Sequence, residues 1–403
     1  MTPRTLILIS GIFLFLIAGT VLVFVLRRKN EESKKNGALR FDPSILEMFW
    51  SRIQAWWVFF GLLACALILG TVATTLFFFF LSFWALREYI TLTPTKAADH
   101  GMLFLLYFIW TPLQFLLVGV NDEWFANVFG IGSYQVYSVM IPVYAFLILP
   151  AGIAISGDKE RFLERVAKIQ VGLMICVYSL SFAPAILTTT MHESADTTVT
   201  PAIFDGGVED KVLAPISQII EGVQNDAPND ETANAEESEP EKAKAETLHD
   251  LLHEKPMRKR MTSEHISLLF SFIFIVQMSD LFQYLWSQFF RRGVIAPKIN
   301  QTKTWAGVLA GSLTTSLLSV ALWYFIPLPK WWQPLIIGFV VSWMGFAGSI
   351  TLSAIKRERD VPGYGHLVEG HNGILDRIDS LCFAAPVYFH LVWIFLHLEI
   401  RPF

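Results

Sequence analysis

The sequence predicts an all-α polytopic membrane protein with about ten transmembrane helices and a site that faces the cytoplasm. Hydrophobic residues make up 53% of the chain and charged residues only 16%. The apolar residues form runs of about 20, which is the length a helix needs to cross roughly 30 Å of hydrocarbon. Most charged residues lie between these runs, so we expect the chemistry of the protein at the membrane surface.

The first two apolar stretches differ in kind. Residues 5–26 end on three basic residues and lack a small-residue cleavage site, which predicts a retained anchor with its C-terminal end in the cytoplasm. Residues 55–86 are too long for one perpendicular span and predict a helical hairpin that breaks near Gly70. The remaining predicted spans are 102–120, 134–156, 169–190, 265–289, 305–326, 333–355 and 380–398.

Basic residues concentrate in three of the loops between spans. The positive-inside rule therefore places loops 157–168, 291–304 and 356–378 together in the cytoplasm. The predicted organisation is an N-terminal anchor helix with a basic amphipathic linker (1–54), N-terminal membrane helices (55–190), an acidic insert (191–264) and a C-terminal catalytic membrane domain (265–403).

The insert has an unusual composition. Between His192 and Glu254 it holds 16 acidic residues against three lysines, with few aromatic side chains. Such a segment cannot bury enough apolar surface to offset its chain entropy, so we expect it to be mostly disordered. A passive solvated insertion is the favoured interpretation, and a docking tail is the alternative.

Residues 353–379, SAIKRERDVPGYGHLVEGHNGILDRID, form a dense cluster of ionisable groups between two spans. Ionisable groups beside hydrocarbon are costly, so the cluster indicates a site. Asp376 and Asp379 are three residues apart and would share one face of a helix, where two carboxylates can hold Mg²⁺. Arg377 is suited to bind phosphate bidentately. The alternative is an ordinary helix start with acids at the positive dipole end.

Two further features of this loop suit a phosphate ligand. Its glycines, among them Gly370 and Gly373, permit close approach of the backbone to a phosphate. His371 lies between Gly370 and Asn372 and is a candidate for hydrogen bonding to phosphate or for proton transfer. His366 and His371 lack the spacing of metal ligands on a helix, so no zinc site is expected.

Two upstream segments carry polar residues beside apolar runs. Asp280 lies inside a span with Gln277, Tyr284 and Gln288 on the same helical face, which predicts a functional carboxylate partnered by Lys303 or Arg377. A structural interhelical hydrogen bond is the alternative. The loop RRGVIAPKINQTKTWAG contains Lys298 and Lys303 and ends with Thr304 at the start of a span, a pattern typical of an anion site.

Taken together, APKINQTKTWAG and SAIKRERDVPGYGHLVEGHNGILDRIDS resemble the phosphatidate cytidylyltransferases, also called CDP-diacylglycerol synthases, in a bacterial branch with altered loop motifs. The resemblance covers roughly residues 50–190 and 265–398. The matching positions are Asp280, Pro297, Lys298, Lys303, Thr304, Gly307, Ser353, Lys356, Arg357, Gly370, His371, Gly373, Asp376, Arg377 and Asp379.

Several positions depart from the family pattern. A Lys-Asp pair is replaced by Pro362 and Gly363, one glycine of Gly-His-Gly-Gly is Asn372, and a glutamate is Ala306. Ser349 stands where the main branch has an aspartate at its metal centre. Metal binding must then rest on Asp376, Asp379 and Asp280.

The resemblance implies transfer of the cytidylyl group of CTP to phosphatidate, which yields CDP-diacylglycerol and pyrophosphate in phospholipid biosynthesis. It implies catalytic roles for His371, Lys356, Arg357 and Arg377, and Mg²⁺ held by Asp376, Asp379 and Asp280, with a second cation left open. The implied substrate-binding residues are Lys298, Lys303, Thr304, Ser353, Gly370 and Gly373. The expected setting is a bacterial inner membrane, with membrane lipids as partners, a homodimer as the inherited assembly and no nucleic acid.

Two rival interpretations stay open. A catalytically degenerate member of the family would bind anionic lipid without turnover, as the altered motif positions suggest. A transporter would line a pathway with polar residues in several spans, whereas the ionisable residues here, apart from Asp280, cluster at the ends of spans.

Overall fold

The computed structural model describes residues 3–35, 43–92, 96, 99–188, 263–359, 361 and 373–398. The regular secondary structure of this part of the chain is helical except for one small β-hairpin. The helices are α1 (Pro3–Lys35), α2 (Pro43–Leu69), α3 (Thr71–Leu92), α4 (His100–Gly119), α5 (Asp122–Phe129), α6 (Ser133–Ile155), α7 (Phe162–Thr188), α8 (Ser263–Phe289), α9 (Trp305–Ala321), α10 (Trp332–Glu358) and α11 (Leu375–Leu398).

The predicted fold class is confirmed. Within the described ranges, nine helices are long and apolar enough to cross a membrane, and α9 is a shorter apolar helix. The predicted acidic insert, residues 191–264, lies outside the described residues except for its last two, which begin α8.

The predicted hairpin is confirmed at Gly70. Leu69 ends α2 and Thr71 begins α3, and Gly70 between them has φ +113°, a left-handed conformation that glycine adopts without strain. The rings of Phe59 and Phe77, on opposite sides of this break, lie 5.8 Å apart. The two helices are therefore antiparallel neighbours.

Helix α2 begins earlier than the apolar run that predicted it. It starts at Pro43 and includes residues 43–54, which the sequence assigned to the linker. Leu46, Ile53 and Phe60 are buried at intervals of seven residues, so one face of this amphipathic segment packs on the bundle. The consequence is that the polar start of α2 reaches the same face of the protein as the ionisable cluster.

Helix α8 is the central helix of the bundle, and its side chains are buried almost continuously from His265 to Ser279. On one side Ser267 shares a 3.0 Å hydrogen bond with Thr5 of α1. The Trp56 Nε1 of α2 donates to Gln277 Oε1 at 2.8 Å, and the Tyr388 hydroxyl of α11 donates to the Leu268 carbonyl at 3.1 Å. Asp280 therefore lies on a helix whose position is fixed by hydrogen bonds with α1, α2 and α11.

The predicted loop 291–304 contains a β-hairpin that the sequence did not predict. Strands β1 (Val294–Ala296) and β2 (Asn300–Thr304) pair antiparallel, with Val294 opposite Thr304. Thr304 ends β2 and caps α9, because its hydroxyl accepts a hydrogen bond from the Gly307 N–H at 3.1 Å. The hairpin thereby fixes the direction of Lys303, the last residue before the cap.

The described residues of the three basic loops lie on one face of the protein, as predicted. Arg357 at the end of α10 donates to the Ile299 carbonyl in the hairpin at 3.3 Å, and Arg359 lies 3.8 Å from Glu164 at the start of α7. The side of the membrane on which this face lies stays a prediction.

Candidate active site

A cavity of about 620 Å³ opens between α2, α3, α8, β2, α10 and α11. Its two ends differ in chemistry. The polar end is lined by Asp280, Lys303, Asp376, Arg377 and Asp379, all of them predicted site residues. The apolar end is lined by residues of the hairpin α2–α3: Val58, Phe59, Leu62, Phe77 and Leu81. The cavity therefore joins a charged site to an apolar wall.

Two carboxylates of the polar end come from different helices. Asp280 of α8 has a buried Oδ1 with no hydrogen-bond partner among the described residues. Asp379 of α11 lies near enough for the two negative charges to repel. A buried carboxylate oxygen without a partner is costly, so this pair of carboxylates is suited to a cation.

The first turns of α11 carry the predicted Asp-Arg-x-Asp motif, because this helix begins at Leu375, five residues before the predicted span 380–398, and so includes both Asp376 and Asp379 as the spacing of the two acids suggested. Its N-terminus is capped from another helix. The Glu88 carboxylate of α3, which is only 4% exposed, accepts hydrogen bonds from the backbone N–H groups of Ile374 at 3.0 Å and Leu375 at 2.8 Å. These are donors that a helix start leaves unsatisfied, so Glu88 fixes the position of the motif.

Sequence reasoning missed Glu88. Its signal was an acidic residue inside the apolar stretch 71–92, where an ionisable side chain is rarely without a role. Its partners are backbone groups of a segment 286 residues away, and no spacing rule connects such distant positions.

Helices α10 and α11 meet closely beside Asp379. The Nζ of Lys356 donates to Asp376 Oδ1 at 2.6 Å. Gly348 faces the backbone of α11, and a Cβ at this position would lie 2.6 Å from the Asp379 carbonyl oxygen. The glycine therefore permits the approach that brings Lys356 to Asp376.

Lys303 reaches the cavity from β2 and is only 8% exposed. Its Nζ donates to Gln283 Oε1 at 2.9 Å, and Gln283 Nε2 donates to the Ser342 carbonyl at 2.9 Å. Burial lowers the pKa of Lys303, while the charges of Asp280 and Asp379 oppose that shift. The ammonium group is thus held in place by a buried amide and faces two carboxylates.

A second set of contacts joins α2 to the site. The Nη2 of Arg377 donates to Ser51 Oγ at 2.6 Å. The next residue, Arg52, lines the cavity, and its guanidinium has no hydrogen bond or ion pair with any described side chain. Arg52 was not predicted as a site residue, because it precedes the apolar run and was assigned to the linker.

The structure brings together some predicted residues and not others. Gly373 lines the cavity beside the aspartates. Thr304 uses its hydroxyl in the helix cap, and Lys298 is exposed in the turn between the strands. Arg357 is exposed, and Ser353 is half-buried on α10; neither is among the residues that line the cavity. His371 and Gly370 lie outside the described residues.

The described residues contain no group of three or more His, Cys, Asp or Glu side chains placed to hold a metal ion. This does not conflict with the chemistry of Mg²⁺, which is usually bound by one or two carboxylates together with substrate phosphates. Asp280 and Asp379 fit such a site, since they supply hard oxygen ligands and one of these oxygens lacks a partner. Magnesium binding stays a prediction.

Comparison with known proteins decides the family. Residues 50–395 match the model of the cytidylyltransferase family. The chain belongs to the cytidylyltransferase family. This family member is a multi-pass membrane protein, and its family supports nucleotidyl transfer as the general reaction.

Three relatives describe the range of similarity. The chain is 28% identical over 345 residues to "Uncharacterized protein YnbB" of Escherichia coli K12, which covers 85% of this chain and 86% of the relative. It is 30% identical over 132 residues to "Phosphatidate cytidylyltransferase" of Rickettsia felis, a match that covers 31% of this chain and 58% of the relative. It is 33% identical over 126 residues to the protein of the same name from Haemophilus influenzae, a match that covers 30% of this chain and 43% of the relative. The chain thus spans about half the length of the named cytidylyltransferases.

Proposed function

We propose that this cytidylyltransferase family member transfers the cytidylyl group of CTP to phosphatidate, forming CDP-diacylglycerol and pyrophosphate. The observation that carries the proposal is a cavity with three aspartates and the cations Lys303 and Arg377 at one end and the apolar wall of α2 and α3 at the other. The charged end suits a lipid phosphate and a nucleotide polyphosphate, and the apolar wall suits acyl chains.

The reaction matches the charges of the polar end. A phosphate oxygen of phosphatidate attacks the α-phosphorus of CTP, a new P–O bond forms, and the bond from the α-phosphorus to the bridging oxygen breaks with its electron pair leaving on pyrophosphate. Both substrates are anionic, so cations must neutralise charge on the phosphoryl oxygens in the transition state. Lys303 and Arg377 line the polar end of the cavity, which supports this role for them. No general base is required, because the attacking phosphate is already ionised at neutral pH.

Asp280 and Asp379, with Asp376 beside them, would hold Mg²⁺, which supplies charge neutralisation at the phosphoryl oxygens when bound. Asp376 also accepts a hydrogen bond from Lys356 Nζ, so its carboxylate orients this ammonium group. His371 keeps its proposed role as a hydrogen-bond donor to phosphate. The shared face of the basic loops supports a cytoplasmic site in a bacterial inner membrane.

The alternative is a family member that binds anionic lipid without turnover. Ser349 lines the cavity at the position where the family pattern has an aspartate, so one expected carboxylate is missing from the polar end. Serine is a neutral and weaker metal ligand than aspartate. This observation is the one that favours the alternative.

The test uses the purified full chain in mixed micelles with phosphatidate, labelled CTP and Mg²⁺. We expect chloroform-soluble cytidine label that disappears in Asp376→Asn and persists in Glu31→Gln, a matched carboxylate change at an exposed position of α1. Absence of label in the wild type, with a known active enzyme working alongside, would reject the proposal in favour of lipid binding without turnover.

A further inference from the structure

Three cations share the cavity, and they differ in how they are held. Lys303 donates to Gln283 and Arg377 donates to Ser51, whereas the guanidinium of Arg52 has no hydrogen-bond or ion-pair partner among the described side chains. The positive charge of Arg52 repels the positive charges of Lys303 and Arg377. Three like charges around one cavity are unfavourable unless an anion lies between them.

The carboxylates do not fully balance these cations. Asp376 pairs with Lys356 at 2.6 Å and also attracts Arg377, so that four cations, Arg52, Lys303, Lys356 and Arg377, stand against the three carboxylates of Asp280, Asp376 and Asp379. Among the described residues there is therefore an excess of positive charge at the cavity even before any metal ion binds. An anionic group with several oxygen acceptors, such as a phosphate, satisfies this excess.

The position of Arg52 along α2 indicates that the phosphate it binds is that of a lipid. Ala55, Phe59 and Leu62 follow it on the cavity-lining face of the same helix. Seven residues separate Arg52 from Phe59, a rise of about 10 Å at 1.5 Å per residue. Arg52 thus lies where the charged end of the cavity meets the apolar wall, which is where the phosphate of a lipid lies relative to its acyl chains.

The backbone of α2 is fixed at this point. Ser51, the neighbour of Arg52, accepts the hydrogen bond from Arg377 of α11. On the next turn, Trp56 donates to Gln277 of α8. Arg52 is therefore held at a defined distance from the helices that carry Asp280 and Asp379, and a phosphate bound to it would be placed relative to both carboxylates.

We propose that Arg52 binds the phosphate monoester of the lipid substrate and sets its position at the junction of the polar and apolar ends. The kinetic test of this inference rests on the proposed function. A guanidinium can bind two phosphate oxygens at once, whereas an ammonium binds as a point charge. Because Arg52 lies beside the apolar wall, the proposal makes it a specificity-determining residue for the lipid and not for the nucleotide.

The kinetic test compares Arg52→Gln, Arg52→Lys and the control Arg87→Gln, an exposed arginine of α3 that does not line the cavity. We expect Arg52→Gln to raise KM for phosphatidate roughly 10- to 100-fold, the loss of a charge-assisted hydrogen bond, with KM for CTP nearly unchanged. Arg52→Lys should recover part of the loss, and Arg87→Gln should match the wild type.

A rise in KM for CTP alone would overturn the inference in favour of a nucleotide phosphate. Unchanged kinetics in Arg52→Gln, with the variant eluting as the wild type does on gel filtration, would show that Arg52 binds neither substrate. If Arg52→Gln does not fold, Arg52→Lys carries the same comparison, because it keeps the charge and loses only the two-oxygen geometry.

A binding arm separates this inference from the proposed function. Native mass spectrometry of the full chain would measure retention of phosphatidate and of diacylglycerol, which lacks the phosphate. We expect Arg52→Gln to lose phosphatidate selectively while diacylglycerol retention is unchanged. That result without turnover in the wild type would reject the proposed reaction and keep Arg52 as a lipid-phosphate ligand. Equal phosphatidate retention in the variant would overturn the role of Arg52 even in an active enzyme.

Discussion

The two ends of the cavity are built in different ways. At the polar end, Lys303 is held by Gln283, Asp376 by Lys356, and the start of α11 by Glu88. At the apolar end, Phe59 and Phe77 meet through their rings, and Leu62 is 54% exposed at the side of the hairpin. One end consists of directed hydrogen bonds between buried groups, and the other of contacts without direction.

This difference indicates which end of the cavity tolerates amino-acid substitutions. Phosphoryl transfer needs charges placed within a fraction of an ångström, and a displaced group loses much of its effect. Apolar contacts depend on area and not on angle, so a lipid chain can shift along the wall at little cost. Substitutions at the polar end should therefore lower kcat, and those at the apolar end should change KM for the lipid.

The largest effect should come from Asp379→Asn. This change removes a negative charge from the pair that Asp379 forms with Asp280 and leaves the shape of the side chain nearly unchanged. We expect kcat to fall by about 100-fold or more, the size typical of losing one transition-state electrostatic contact. Steady-state assays with labelled CTP would measure it. A loss below threefold would contradict the functional role of this carboxylate.

Glu88→Gln should have the next largest effect. The glutamine keeps one acceptor oxygen but loses the charge and the second oxygen that together accept from Ile374 and Leu375. We expect kcat to fall about 10- to 100-fold, as for other residues that orient a site from behind, with both KM values little changed.

The matched control for Glu88 is Glu264→Gln, an exposed glutamate in the first turn of α8. It should retain wild-type kinetics. Equal losses of kcat in both variants, or a loss in Glu88→Gln that follows only from a lower melting temperature, would indicate a general stability effect and not positioning of the motif.

Gln283→Leu tests how Lys303 is held. The leucine removes the acceptor at 2.9 Å from Nζ, and we expect roughly a tenfold loss of kcat, the cost of one hydrogen bond to a charged group. Burial already lowers the pKa of Lys303, and losing an acceptor that favours the charged form lowers it further. The alkaline limb of the pH–rate profile should therefore move to lower pH.

The control for this profile is Gln135→Leu, at an exposed position of α6 outside the cavity lining. Its alkaline limb should coincide with that of the wild type. A limb that moves to higher pH in Gln283→Leu would contradict the role given to the protonated Lys303.

The smallest effect should come from Leu62→Ala at the apolar end. The change removes part of the wall, and we expect KM for phosphatidate to rise about two- to fivefold with kcat unchanged, the value of about one buried methylene group. Ile68→Ala, at a position of α2 that is 75% exposed and outside the cavity, is the control. A loss of kcat in Leu62→Ala as large as that in Glu88→Gln would remove the distinction between the two ends.

Much of the site was predictable because its residues are charged and lie where charge is costly. Asp280, Asp376 and Asp379 stand beside apolar runs, and each of them lines the cavity. Two residues that position the site were not predicted: Gln283, which holds Lys303, and Glu88, which accepts from backbone groups of a distant segment. Thr304 was predicted for the right place, but its hydroxyl serves the helix cap.

Composition and periodicity by themselves determined that the chain crosses a membrane, that it turns at Gly70, and that its ionisable groups lie at the ends of spans. These are properties of short segments, since a span requires only its own apolar residues and a turn only its own glycine. Tertiary structure alone decided that the start of α2 carries Arg52 to the cavity, that Glu88 caps α11, and that β2 directs Lys303 inward. Each of these depends on which helices lie side by side, and packing between distant segments sets that arrangement.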